Sequence, residues 1–291
     1  MESLRSATGA SRSARRVTVD GVGLTVDDQG RGPAIVCLHA IGHGAGDFES
    51  LRSRMAPRWR VIAPDWPDQG RSDADRVPPS AARYADLLGR LLDACAVDRA
   101  VLLGNSIGGA AAIRYAAAHP ERVSALVLEN PGGLDPADDA LGRTALAAMV
   151  AFFAAGARGA AWFPAAFAAY YRLVLQRAPA AAQRRRIVAA GREIAPLLRD
   201  AWTSFGTPEA NLTALLPAIR CPVLVAWATR DQLIQLRRCR PALARIPDVR
   251  LETFPAGHAP HLETPPAFDV VLDRFLEPLR DQPPLREAHV V

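Results

Sequence analysis

The chain has 291 residues, 49% of them hydrophobic, with four cysteines and a formal charge of +5. That size and composition suit one globular α/β domain carrying an insertion. No secretory signal is legible and no run reads as a membrane span, so a cytoplasmic location is the expectation. All 35 basic residues are Arg. Without Lys, Schiff-base chemistry, a Walker-type phosphate lysine and pyridoxal phosphate anchoring lose their usual residue. No nucleic-acid recognition motif accompanies the positive charge. Cys37, Cys95, Cys221 and Cys239 show no metal or redox spacing and are expected to be buried free thiols.

In chain order, residues 1–15 form an N-terminal tail. Two short strands, Arg16–Val19 and Leu24–Asp27, follow, joined by the hairpin signal Asp20-Gly21. Short, continuous apolar runs then recur at Ala34–Leu38, Arg60–Ala63, Ala100–Leu103, Ala125–Leu128, Val223–Trp227 and Val249–Phe254, as in strands buried on both faces of a parallel sheet. Helices are predicted over Ala81–Cys95 and Ile107–Ala118, the second stopped by His119-Pro120. A last helix carries Phe268, Val271, Leu272, Phe275, Leu276 and Leu279 on one face. The alternation predicts a mainly parallel sheet with helices on both sides.

Residues 135–216 contain no convincing strand. They read as a helical cap, rich in Ala and aromatics, inserted between two core strands; its aromatics, Trp162 included, are expected to line an apolar pocket. The Ala-rich stretch Ala145–Ala155 is too short to span a membrane and reads as a buried or lid helix. The core is thus expected over 16–134 and 217–281, with an irregular tail over 282–291.

Gly104-Asn105-Ser106-Ile107-Gly108 fits G-x-S-x-G and lies where a strand turns into a helix. Such a turn presents Ser106 Oγ at the carboxyl edge of the sheet, beside the free N–H groups of a helix start. A hydroxyl nucleophile needs a base, and the base needs an orienting carboxylate. His258, after the last strand, is the candidate base. Asp231, just past Val223–Trp227, is the candidate acid, with Glu129 as competitor. His261 reads as structural. His39 and His43 are four apart but lie in a loop with no obvious third ligand, so no metal site is expected.

The segments LHAIGHG, APDWPDQGRSD, LLGNSIGG, AWATRD and AGHAPHLETP, in this order, resemble the α/β-hydrolase superfamily from about Arg15 to Arg280. The resemblance implies the α/β-hydrolase fold, the chain order Ser106, Asp231, His258, and an oxyanion hole made by the backbone N–H groups of Ile41 and Ile107. Position 40, Gly in most relatives, is Ala here. The Asp65–Ser72 loop is expected to be scaffold.

Serine at the elbow argues against the haloalkane dehalogenases and epoxide hydrolases of that superfamily, which use Asp. GNSIGG and Asn130-Pro131-Gly132-Gly133-Leu134 are similar to carbon–carbon hydrolases of meta-ring-fission products, but those tend to carry Trp where Ala259 stands. The reading is a serine hydrolase of an ester, lactone or thioester of a small, largely apolar molecule. A carbon–carbon hydrolase, a cofactor-free perhydrolase and a non-catalytic receptor are the alternatives. A small-molecule substrate, no cofactor, no nucleic acid and no membrane insertion are expected, with the oligomeric state left open.

Overall fold

A computed structural model of the chain describes residues 14–135 and 139–280. Alternating sides of continuous apolar strands set its architecture. In β3 (Ala34–Leu38) every residue is buried, with Ala34, Val36 and Leu38 in one core and Ile35 and Cys37 in the other. β5 (Ala100–Asn105) and β7 (Val223–Ala228) divide in the same way: Leu102 and Val225 go to the first core, Leu103 and Leu224 to the second. A period of two with no polar face requires cover on both sides.

With β1 (Ala14–Val19), β2 (Val22–Gln29), β4 (Arg60–Pro64), β6 (Val123–Glu129) and β8 (Val249–Phe254), these strands make one eight-stranded sheet of order β1-β2-β4-β3-β5-β6-β7-β8. β1 pairs antiparallel to β2, and β2 antiparallel to β4; all other pairs are parallel. Asp20 and Gly21 both take positive φ (52° and 79°), the geometry of a tight hairpin that matches strand twist. Ala14 and Arg15, expected in the tail, already pair with Asp27 and Val26. The rest of the expected tails, 1–13 and 282–291, lies outside the described residues.

α1 (Glu49–Met55) and α10 (Pro265–Leu276) cover one face of the sheet, where Leu51, Met55, Phe268, Leu272 and Leu276 join the second core. α2 (Ala81–Ala94), α3 (Ile107–Ala118) and α8 (Leu236–Leu243) cover the other. Ser80 caps α2 by accepting from the Arg83 N–H at 3.0 Å. α1 and α8 were not anticipated: α1 is short, and α8 carries Pro241 inside an Arg-rich stretch.

Between β6 and β7 come α4 (Ala140–Ala157), α5 (Phe163–Val174), α6 (Ala181–Ala189) and α7 (Gly191–Ser204), with no strand among the described residues. They enclose a third apolar cluster of Phe153, Phe163, Phe167, Tyr171, Ala195 and Leu198. Against it pack Ile41, Leu233 and Leu262, and Ala259 is one of its buried members. The insertion is therefore seated on the loops at the carboxyl edge of the sheet. Of the two alternatives for the Ala-rich stretch, a buried helix does not describe α4, since only Phe153 and Gly156 of its eighteen residues are buried. Trp162 is exposed rather than turned inward.

Candidate active site

Ser106 sits between β5 and α3 with φ 56° and ψ −118°. A positive φ on a residue with a Cβ is strained, and such strain persists only where the surroundings impose it. Here the Ser106 N–H donates to the Glu129 carbonyl at 3.0 Å, and the Ser106 carbonyl accepts from Ala110 and Gly132 at 3.0 and 3.1 Å. The glycines around it serve close approach. A Cβ on Gly104 would stand 2.6 Å from the Gly108 backbone, and one on Gly108 would stand 2.2 Å from the Leu38 carbonyl oxygen. The helix start can then press against the sheet, and Ser106 is left half-buried at the rim.

His258 lies between β8 and α9 (Pro260–Glu263), and Asp231 between β7 and α8. His258 Nδ1 is 2.7 Å from Asp231 Oδ2. A carboxylate only accepts, so Nδ1 carries the proton and Nε2 is left as a base. Burial disfavours the charged ring, but the Asp231 carboxylate outweighs it, with Glu263 and Glu129 adding to it, and the His258 pKa stands above the ordinary histidine value. Asp231 itself accepts from the Leu233 and Ile234 N–H groups at 2.7 and 3.1 Å and from Asn130 Nδ2 at 2.6 Å.

Glu129, the competing acid, is engaged elsewhere. Its Oε2 accepts from the His261 backbone N–H at 3.1 Å and lies 2.9 Å from His261 Nδ1. That ring stacks on Phe48, with centroids 4.7 Å apart. The structure thus brings His258 together with Asp231, and His261 with Glu129.

The loop after β3 carries Ile41. Ala40 needs no positive φ; the left-handed position is Gly42, at φ 76°, so Ala at position 40 does not hinder the turn. Gln69 Oε1 accepts the Gly42 N–H at 2.6 Å while its Nε2 donates to Tyr84 Oη at 3.0 Å. Among the described residues neither the Ile41 nor the Ile107 amide has a protein acceptor. Asp65 braces the loop, accepting from the Ala45 and Arg71 N–H groups at 2.7 and 3.1 Å, as expected of scaffold. His39 Nδ1 donates to the Ala40 carbonyl at 2.7 Å and its Nε2 accepts the Trp66 N–H at 3.0 Å. His43 Nδ1 is 2.6 Å from Asp47 Oδ2, and Gln183 of α6 donates to the other oxygen of that carboxylate. A cleft of about 500 Å³ opens beside this loop, between it, the Asp65–Arg71 segment and α6–α7; Ser106 and His258 are not among its walls.

Three residues that hold the site together escaped sequence reasoning. Asn130, at φ 40°, donates to Asp231 and accepts the Ala228 N–H at 2.7 Å. Asn105 donates to the carbonyls of Glu129 and His258, both at 3.0 Å, tying the residue before Ser106 to the loop of His258. Glu263, 1% exposed, accepts from Gly257, His258 and Ala259 through Oε1 at 2.8, 2.9 and 3.3 Å. Its Oε2 accepts from Gln176 and Arg177 at 2.7 and 3.0 Å. The four cysteines are buried and free; burial pushes Cys221 up to about 11 and Cys239 up to about 12, so none is a ready thiolate.

Comparison with known proteins points the same way as the fold. An uncharacterized protein of Mycobacterium tuberculosis is 29% identical, over 89% of this chain and 80% of its own length. A pimeloyl-[acyl-carrier protein] methyl ester esterase of Chromobacterium violaceum is 29% identical over 87% of this chain and 98% of its own. A 2-hydroxy-6-oxo-6-phenylhexa-2,4-dienoate hydrolase of Burkholderia cepacia is 35% identical, but over 43% of this chain and 47% of its own. An esterase from Exiguobacterium antarcticum superimposes with a TM-score of 0.80 over 91% of this chain and 99% of its own, at 19% identity, a likeness of fold. The model of the alpha/beta hydrolase family matches residues 35–269, and with most of its length covered and the strand order described above, the chain belongs to that family of hydrolases.

Proposed function

We propose that this chain is a serine hydrolase that cleaves an ester, lactone or thioester of a small, largely apolar molecule through an acyl-enzyme on Ser106. The observation that carries the reading is the joining of the strained Ser106 elbow to a His258–Asp231 pair, through the Asn105 bond to the His258 carbonyl. Ser106 Oγ attacks the carbonyl carbon and passes its proton to His258 Nε2, and Asp231 stabilises the imidazolium. The developing oxyanion lies against the Ile41 and Ile107 N–H groups, and loss of such a donor costs about a hundredfold or more in rate. His258 then protonates the leaving alcohol or thiol, and water repeats the sequence on the acyl-enzyme. The helical insertion acts as a cap, with its aromatic cluster supplying an apolar ceiling. The esterase relative supports the acyl transfer.

The test is turnover of p-nitrophenyl esters and labelling by a fluorophosphonate. Ser106→Ala is expected to abolish both with the fold intact, the rate falling by about three orders of magnitude or more. Equal labelling of wild type and variant overturns the assignment. The second reading, carbon–carbon cleavage of a vinylogous diketone, is favoured by the Burkholderia cepacia relative and by Asn130-Pro131-Gly132-Gly133. A higher kcat/KM on such a diketone than on any ester would select it.

A further inference from the structure

The insertion has an outer face that its own packing does not account for. α4 is long and apolar enough, by length and composition, to cross a bilayer, and carries one charged residue, Arg143, in eighteen. Its inner side lies along α7, yet only Phe153 and Gly156 are buried, so it is not a core helix. α5 repeats the arrangement. Phe163, Phe167, Tyr171 and Val174 are buried, while Trp162, Ala165, Ala169 and Leu173, at i, i+3, i+7 and i+11, make an exposed apolar stripe on the opposite side. Leu141 is 71% exposed, Trp162 53% and Leu173 56%. They are three of the five large hydrophobic side chains most exposed among the described residues, and all three belong to the insertion. Trp162 reaches Phe152 of α4, with ring centroids 5.9 Å apart, so the two helices present their outer sides next to each other. An apolar face of this kind marks an interaction surface.

Its charge indicates the occupant. From Ala140 to Val174, the stretch that contains α4 and α5, the chain holds three Arg and no Asp or Glu. Arg158 and Arg172, both exposed, bracket Trp162 and adjoin Leu173. A second copy docking through the same face would set one positive surface against another. An anionic lipid bilayer complements both features: guanidinium groups reach the lipid phosphates while their stems and the Trp and Leu side chains enter the interfacial region.

We propose that the outer face of α4 and α5 docks this protein onto anionic lipid bilayers, lying in the interface rather than spanning it. The proposal goes beyond the hydrolase reading and does not depend on it.

The full chain would be sedimented with vesicles of phosphatidylcholine alone and of phosphatidylcholine with about one-third phosphatidylglycerol. Binding to the anionic vesicles is expected to exceed binding to the neutral ones by about tenfold, and to fall as salt rises from about 0.05 M to about 0.5 M. Trp162→Ser with Leu173→Ser removes the apolar anchors, and Arg158→Gln with Arg172→Gln removes the charge. Each pair is expected to lower anionic-vesicle binding by about tenfold, with hydrolysis of a soluble ester unchanged. In the wild type, lipids spin-labelled near the headgroup should quench Trp fluorescence, and Trp162→Phe should remove most of that quenching, so the idea is tested even if a double variant folds poorly. Equal binding to both vesicle types, or binding untouched by all three variants, overturns the proposal. So does a stable dimer in sedimentation velocity that Trp162→Ser dissociates, because the face then belongs to a second copy.

Discussion

Two buried carboxylates stand at neighbouring strand ends, and their partners separate their roles. Asp231 faces His258 Nδ1, whereas Glu129 is held by both donors of His261. Asp231→Asn is expected to lower kcat/KM by about three to four orders of magnitude, because an amide there favours the wrong tautomer. Glu129→Gln should cost less than about tenfold in rate and instead lower stability by about 1–3 kcal/mol, read from urea unfolding. If Glu129→Gln proved the more damaging to turnover, the acid would be reassigned. The pH profile follows from the same contact. As the proposed base, His258 would act only when neutral, so kcat/KM should rise with pH, and the raised pKa places that rise above about pH 6.5. In Asp231→Asn the residual activity should titrate lower, since the charge that outweighs burial is gone. The linkage has the opposite sign for folding. A histidine whose pKa is raised in the folded state contributes stability that is fully present below its unfolded value and is lost as pH rises through the folded one. His258 and His261 both have raised values, so the pH range where the base is active is the range where these two pairs contribute less to stability. A rise lying below the ordinary histidine value, with chemistry rate-limiting, would contradict this account.

Among the elements, the loop of His258 and the α5–α6 connection meet at one side chain, Glu263. Oε1 holds three consecutive N–H groups around His258, and Oε2 holds those of Gln176 and Arg177. Gln at this position keeps one acceptor oxygen and turns an NH2 toward donors, so it can hold the base loop or the insertion but not both. Glu263→Gln is therefore expected to lower kcat by about tenfold or more with little change in KM, as befits a misplaced base rather than a lost binding contact. A variant with wild-type kcat, or one altered in KM alone, would leave Glu263 as packing. This hub also shows where sequence reading stops. Ala34–Leu38, Ile107–Ala118 and Val249–Phe254 were legible to the residue, because period and turn chemistry are local properties. The placement of Ser106, Asp231 and His258 at one edge of the sheet was legible because each follows a strand that ends there. The roles of Asn105, Asn130 and Glu263 were not, since each bridges to a partner far along the chain, 153, 101 and 86 to 87 residues away, and nothing local marks those bridges. In the loop after β3 the residue type at position 40 decides little, because the left-handed conformation falls two residues later, at Gly42.

At the scale of the whole molecule, charge is segregated. The insertion from Ala140 to Phe205 carries nine Arg against Glu193 and Asp200, a net 9 − 2 = +7. The cleft beside the loop after β3 has the opposite balance, its walls including Asp27, Glu49, Asp65, Asp68 and Glu193 against Arg52, Arg71 and Arg186. Two of those three arginines are already committed: Arg52 lies 3.1 Å from Asp27, and Arg71 lies 2.9 Å from Asp27 and 3.3 Å from Asp65. The run Arg184-Arg185-Arg186 does not converge on it either, since Arg184 donates to the Leu175 carbonyl and only Arg186 reaches the cleft. Exposed charge acts over a Debye length of about 10 Å at 0.1 M salt, so the acids at the cleft counter the arginines of the insertion that lie near it. A carboxylate-bearing ester is therefore expected to gain no more than about twofold in kcat/KM over a matched neutral ester at low salt, with both responding alike as salt rises. Arg186→Gln should change that ratio little. An advantage for the anionic ester that disappears at high salt would show that the arginines steer substrate. An advantage lost only in Arg186→Gln would place a specific anion contact in the cleft. The expected indifference leaves the arginines of the outer face to a surface larger than a substrate.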